Sequence, residues 1–219
     1  MPRIIDHDKR REIFAEAAYR VLARKGLADT KLRDVADEAG FTTGALAHYL
    51  RSKDEVLLAA VKHMADRIFA ELVAQEAMHD MESFRRVLHS ALPLTPERKD
   101  FWRVNFNFWE RAQQDPDMRV LLQTSYKNWQ AYLMRFLRSL QEAGHVSRDI
   151  DLDQVVRSAI ALIDGISVRT LVANPDTPPH KSADLIDAWI RDTLGYVLPG
   201  KTSARMKSRP KRQARKSDK

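Results

Sequence analysis

The 219-residue chain is 44% apolar and 31% charged, with no cysteine, 7 glycines and 9 prolines. Without cysteine there is no disulfide framework, thiolate nucleophile, iron–sulfur cluster or zinc finger. The longest apolar run, Val56 to Val61, falls far short of the roughly 20 residues a membrane span needs. The net charge of +7 is unevenly spread: residues 201–219 hold nine Lys/Arg and one Asp, residues 1–53 carry +3, and residues 54–200 carry −4. Basic ends on a mildly acidic body suit a chain that meets a polyanion at its ends. The N-terminus has no apolar stretch behind its basic residues, so no secretory signal is read there and a cytoplasmic location is expected.

The few glycines and prolines and the periodicity point to an all-α fold of about nine helices. Ile13, Phe14, Ala17, Ala18, Val21 and Leu22 share one helical face, and Gly26 stands where that helix would close. Thr30 is expected to N-cap a short helix through about Ala39, with Leu32, Val35, Ala36 and Ala39 inward and Gly40 ending it. Another short helix is expected from about Thr43 to Tyr49. Ser52 and Glu55 form a capping box that opens a long helix through roughly Ala77. A shorter amphipathic helix follows from about Glu82 to Ala91.

Thr95-Pro96-Glu97 and Asp115-Pro116-Asp117 place a cap, a first-turn proline and a first-turn acid in order. They open helices of about 96–113 and 116–143, the second closed by Gly144. Asp151 opens a helix to about Ala173, residues 174–180 form a loop, and a last helix runs from about Ser182 to Leu198, where Pro199-Gly200 breaks it. The expected organisation is a three-helix N-terminal unit (1–53), a helical bundle (54–200) and a disordered basic tail (201–219).

Residues 32–50 have the geometry of a helix-turn-helix. Phe41, Leu46 and Leu50 can anchor its second helix, which leaves Gly44 and His48 outward with Thr43, Ala45 and Ala47 beside them. Small and hydrogen-bonding residues on an exposed short helix suit a surface that enters a DNA major groove.

From Thr30 through Gly40, Thr43, Gly44, His48, Tyr49 and Lys53 to Leu57, the sequence resembles the signature of the tetracycline-repressor (TetR) family. The resemblance implies a homodimeric transcriptional repressor that binds a palindromic double-stranded DNA operator and is released by a small-molecule effector. Position by position it implies DNA contact at Thr30, Arg33, Thr42, Thr43, Gly44, Ala45, His48, Tyr49 and Lys53. Thr30 would hold a phosphate and Lys53 would meet the backbone. The family often has Tyr-x-His-Phe where this chain has Ala47-His48-Tyr49-Leu50, so Ala47 lacks the phenol that reaches a phosphate. The His48-Tyr49 order resembles the choline-responsive betaine-synthesis repressors, a branch of the same family, as does the stretch from Ala159 to Ile166.

In that family the last two helices form the dimer interface. Here Ile160, Ile163, Leu171, Leu185, Trp189 and Ile190 are the expected interface residues, because the penultimate helix is apolar on more than one side. Nine of the 17 aromatics fall between Phe101 and Phe136. They read either as plain core or as an effector pocket with Trp102, Asn105, Phe106, Trp109, Tyr126 and Trp129 lining it. The pocket reading admits an aromatic cage for a quaternary ammonium.

The histidines have no metal-ligand spacing, and neither metal nor cofactor is expected. No phosphate loop, dinucleotide fingerprint or nucleophile–base constellation points to an enzyme. The alternative to the regulator is a non-specific nucleic-acid-binding or scaffold protein acting through the basic tail.

Overall fold

The computed structural model of the protein describes residues 7–75, 80–174 and 176–196; within 65–75 the one side chain described is that of Arg67. Among these residues there are nine α-helices and no strand. They are α1 (His7–Asp29), α2 (Leu32–Ala39), α3 (Thr43–Ala47), α4 (Lys53–Gln75), α5 (Met81–Ser90), α6 (Pro96–Ala112), α7 (Pro116–Glu142), α8 (Leu152–Val168) and α9 (Pro179–Leu194). A π-helical turn, Arg169–Ala173, extends α8. None of the described helices is long and apolar enough to cross a membrane.

Local chemistry sets most boundaries. Thr95 accepts from the Arg98 amide at 3.3 Å ahead of Pro96. Asp115 accepts from the Asp117 and Met118 amides, and Asp151 from those of Asp153 and Gln154. Each side chain satisfies amides that the first helical turn leaves without an intrahelical partner. The Glu55 amide donates to Ser52 at 3.1 Å, and the Glu55 carboxylate reaches back to the Arg51 amide at 2.6 Å.

Three sequence expectations need correction. Thr30 does not cap α2. It is buried, its hydroxyl donates to the Gly26 carbonyl at 2.6 Å, and Lys31 takes the cap position, with Asp34 accepting from the Lys31 amide at 3.0 Å. The kink at Gly26 (φ 73°) turns the chain so that Thr30 closes the bend instead of opening the helix. The third helix stops at Ala47, two residues early. The last helix begins at Pro179, whose missing N–H costs nothing at the first helical position, and ends at Leu194, because Gly195 is left-handed (φ 69°). The expected break at Pro199-Gly200 and the basic segment 201–219 lie outside the described residues.

Two apolar cores organise the molecule. One joins α1, α2, α3 and the first half of α4 through Phe14, Leu22, Val35, Leu46, Leu57 and Val61, and it takes in Val104, Phe108 and Ala112 of α6 and Met118 of α7. The other joins α5, α7, α8 and α9 through Phe84, Leu88, Leu133, Leu137, Ile163, Ile186 and Ile190, with Trp102 of α6. Helix α5 is locked to α9 by Asp187, which accepts from Arg85 Nε (2.6 Å) and Nη2 (3.1 Å) and pairs with His89 Nε2 (2.8 Å).

The second core takes in three of the six expected dimer residues. Ile160, Ile163 and Ile190 are 7%, 3% and 0% exposed within a single chain. They pack against their own chain's helices and are not surface on offer to a second copy. Leu171 and Trp189 are half-buried on the same core, and Leu185 is 53% exposed. Part of the apolar surface of α8 is covered by α7 and α9, while Val168 stays 39% exposed. Ile190→Ala should therefore destabilise the fold by about 2–5 kcal/mol, the range for removing a buried branched side chain, and leave the oligomeric state unchanged. Chemical denaturation combined with light scattering checks both.

Candidate nucleic-acid interface and buried cavity

The short helix α3 is held from beneath and open above. Leu46 is fully buried and Leu50 nearly so, while Phe14 meets the rings of Phe41 and Tyr49 at 5.2 Å each. Gly40 adopts a left-handed conformation (φ 74°), and the Phe41 amide returns to the Ala36 carbonyl at 2.9 Å, which fixes the turn between α2 and α3. Thr42 caps α3 by accepting from the Ala45 amide at 3.2 Å.

Outward stand Arg33, Thr42, Thr43, Gly44, Ala47 and His48, all exposed, with Ala45 half-buried beside them. A Cβ on Gly44 would meet nothing nearer than the Thr42 hydroxyl at 3.9 Å. Nothing inside the protein requires glycine there.

The other expected contact residues divide. Arg33 faces solvent and lies 3.6 Å from Asp37. Lys53 is exposed, but its ammonium donates to the Leu27 (3.3 Å) and Ala28 (2.5 Å) carbonyls, tying the start of α4 to the end of α1. The Tyr49 hydroxyl lies 2.9 Å from His7 Nδ1, which fastens α1 to the segment after α3. Thr30 presents neither hydroxyl nor amide outward, since its amide donates to the Leu27 carbonyl at 3.3 Å. Its sequence role as a phosphate holder is not available in this geometry, because the bend at Gly26 consumes both groups.

A cavity of about 150 Å³ opens between α4, the end of α5, α6, α7 and α8. Trp102, Asn105, Tyr126 and Trp129 line it, as the pocket reading expected. Phe106 and Trp109 do not. They pack with Trp102 on α6, with ring centroids 5.5–5.8 Å apart in all three pairs, so this part of the aromatic stripe is core. Part of the stripe thus lines a cavity and part is core. The Trp102 indole donates to the Ala91 carbonyl at 2.8 Å, which fixes the wall at the end of α5.

Sequence reasoning missed Arg98, Phe101, Ser125 and above all Asp164, which also line the cavity. Asp164 had a readable signal: it is the lone acid in the apolar stretch from Ala159 to Ile166. Tyr126 donates its hydroxyl to Asp164 Oδ2 at 2.8 Å. Burial pushes the Asp164 carboxyl up to about 6 against the lowering effect of that hydrogen bond, and burial next to the acid raises the Tyr126 phenol as well.

Helix α6 links cavity and head. On its other side the Leu27 amide donates to Asn107 Oδ1 (3.2 Å), the Tyr19 hydroxyl to the Glu97 carbonyl (3.3 Å), and Arg111 pairs with both oxygens of Asp54 (2.8 and 2.7 Å) at the first turn of α4.

Residues 14–60 match the family described as bacterial regulatory proteins, tetR family, and residues 80–195 match the BetI-type transcriptional repressor C-terminal domain. The HTH-type transcriptional regulator PksA of Bacillus subtilis is 29% identical over 175 residues, covering 78% of this chain and 83% of its own. BetI of Brucella melitensis is 26% identical over 206 residues, covering 93% and 99%. A transcriptional regulator from Saccharomonospora viridis, solved in complex with choline, superposes with a TM-score of 0.78 at 25% identity over 86% of this chain and 98% of that one.

The raised Asp164 carboxyl makes a stability prediction. The folded chain holds this proton more tightly than the unfolded chain, whose carboxyl stays near the ordinary 3.8. Its charge therefore costs stability, a cost absent below about pH 4 and fully present above about pH 6. Asp164→Asn keeps an acceptor for Tyr126 without the charge. It should raise stability at pH 7.5 by about 3 kcal/mol at most and change nothing at pH 3.5. Urea titrations of both proteins at the two pH values measure this.

Proposed function

The chain belongs to the tetR family of bacterial regulatory proteins, and from that premise we propose that it is a repressor that binds a palindromic operator as a homodimer and leaves it when a small molecule fills the cavity beside α6. The DNA-binding transcriptional regulator is the family's function; the dimer, the operator symmetry and the effector response are the proposal. The observation that carries it is α6 itself. One rigid helix walls the cavity through Phe101, Trp102 and Asn105 and is tied to the head through Asn107 and Arg111. A ligand that favours one position of α6 biases the heading of the recognition helix, a population shift between two states. The choline complex of the Saccharomonospora viridis regulator supports an effector site in this kind of domain.

For the dimer, the supporting surface is the outward stripe of α8 and its π-turn. Ala161, Gly165, Val168 and Val172 are exposed there at helical spacing, and Leu185 is exposed on α9. Val168, Val172 and Leu185 are three of the four large apolar side chains most exposed among the described residues. Two copies of this stripe would bury each other around small residues that allow close approach. Val168→Glu with Leu185→Glu should give a helical monomer with strongly weakened operator binding, whereas a dimer persisting in light scattering would rule this face out.

The recognition helix supplies the functional test. Gly44→Gln should leave thermal stability unchanged or slightly raised, since glycine is a poor helix former and the space around it is open. Operator affinity should fall at least tenfold, because a long side chain stands where the groove floor must approach. Thr43→Ala should relax preference at one or two positions of each half-site by roughly 1–3 kcal/mol. Selection of bound DNA from a random pool, followed by titration of both variants, decides it. Unchanged affinity in Gly44→Gln would mean that α3 does not read the operator.

A further inference from the structure

A second cleft lies on the head. It has a volume of about 690 Å³, within the range of small-molecule sites. It runs between α1 and the stretch of α4 from Glu55 to Arg67, with Tyr49 and Leu50 contributing from the segment after α3. It shares no lining residue with the cavity beside α6.

The floor of this cleft is apolar. Phe14 and Leu50 are buried, and Ala15, Leu58 and Ala59 are half-buried. Three exposed cations stand around it: Arg11 from α1, and Lys62 and Arg67 from α4. Elsewhere on α1 the cations are engaged. Arg10 lies over the Phe41 ring at 5.3 Å, Arg20 pairs with Glu16, Arg24 with Glu38 and Lys25 with Asp34. Among the described residues Arg11, Lys62 and Arg67 form no ion pair.

Two acids also line the cleft, Glu12 beside Arg11 on α1 and Glu55 at the start of α4. Glu55 is engaged in the capping box, where it accepts from the Arg51 amide at 2.6 Å. Lys62 and Arg67 stand about two and three turns further along α4. There the Tyr19 and His63 rings are 6.3 Å apart, so α1 and α4 stay close at the cationic end. From Ala59 to Arg67 the helix axis runs about 12 Å, the reach of a medium-length acyl chain with its carboxylate. Apolar floor and cationic end together are complementary to a molecule with an apolar body and an anionic head, and carboxylates make strong charge-assisted hydrogen bonds to Lys and Arg.

We propose that this cleft is a second ligand site that takes an amphipathic carboxylate, its chain over Ala15, Leu58 and Ala59 and its charge met by Lys62 and Arg67. The site is independent of the effector reading above.

The test uses the full chain and three probes that share one alkyl chain: octanoate, 1-octanol and octylammonium. Calorimetry at pH 7.5 reads binding. Tryptophan fluorescence reports on the rest of the molecule, because all four tryptophans lie between residues 102 and 189. Octanoate should bind about tenfold more tightly than either other probe and leave the tryptophan signal unchanged. Lys62→Glu with Arg67→Glu should weaken octanoate by about tenfold or more and turn the preference toward octylammonium. Lys127→Glu with Arg138→Glu, the same change of charge at exposed positions of α7, should bind octanoate as the unaltered chain does. Melting curves show that both variants fold. Octanoate binding that survives the reversal at Lys62 and Arg67, or that shifts the tryptophan signal, would overturn the proposal and move the ligand to the cavity beside α6. No octanoate binding at all would overturn it too. If the reversal at Lys62 and Arg67 then lowers operator affinity and flattens its salt dependence, these cations hold DNA phosphates instead.

Discussion

Helix α6 has to satisfy two cores at once. Val104, Phe108 and Ala112 are buried with α1 and α4, while Trp102 is buried with α5, α7 and α8. A 17-residue helix clamped this way cannot rotate to suit one side without disturbing the other. The polar ties make the constraint directional. Arg111 holds both oxygens of Asp54 where α4 begins, and Asn107 holds the Leu27 amide where α1 bends. Packed interiors resist continuous deformation, so α6 is held by the contacts on both its sides.

The cavity departs from what packing alone would select. An apolar space next to Trp102, Trp129 and Ile163 would be more stable lined with aliphatic side chains, and a buried carboxylate there is costly. Proteins break such local rules mainly where function requires it. The Tyr126 hydrogen bond offsets part of the cost and orients Asp164. Asp164 also belongs to α8, whose adjoining stripe, at Ala161, Gly165 and Val168, faces outward. Charge in the cavity and geometry at the outward face are thus read by the same helix.

On the head, side-chain size follows distance of approach. The outward strip of α3 carries Thr43, Gly44 and Ala47, with His48 at its end, so the backbone can come close to whatever it meets. The larger polar groups nearby hold the frame. Lys53 caps carbonyls at the end of α1, Tyr49 meets His7, and Thr30 closes the bend at Gly26. These interactions orient α3 without occupying its outer face.

Much of this was legible before any coordinates. The caps at Ser52, Thr95, Asp115 and Asp151 and the helix-ending glycines Gly40 and Gly144 are i-to-i+3 chemistry, which a linear sequence carries in full. Periodicity alone identified the buried face of α1 and the anchors Leu46 and Leu50, and the family signature followed from the helix-turn-helix register. What the sequence could not carry is which apolar face meets which. Ile163 and Ile190 look the same in sequence whether their partner is another copy or their own neighbouring helix, and only the packing of α7, α8 and α9 consigned them to the interior. Phe106 and Trp109 share spacing with Trp102, and only the position of α7 decided which aromatics line the cavity. Asp164 acquires its meaning from Tyr126, 38 residues away. Local hydrogen-bonding rules and helical period are encoded at short range and can be read from the chain. Burial, cavity shape and the fate of a lone charge depend on contacts between distant segments, and the tertiary structure alone settles those.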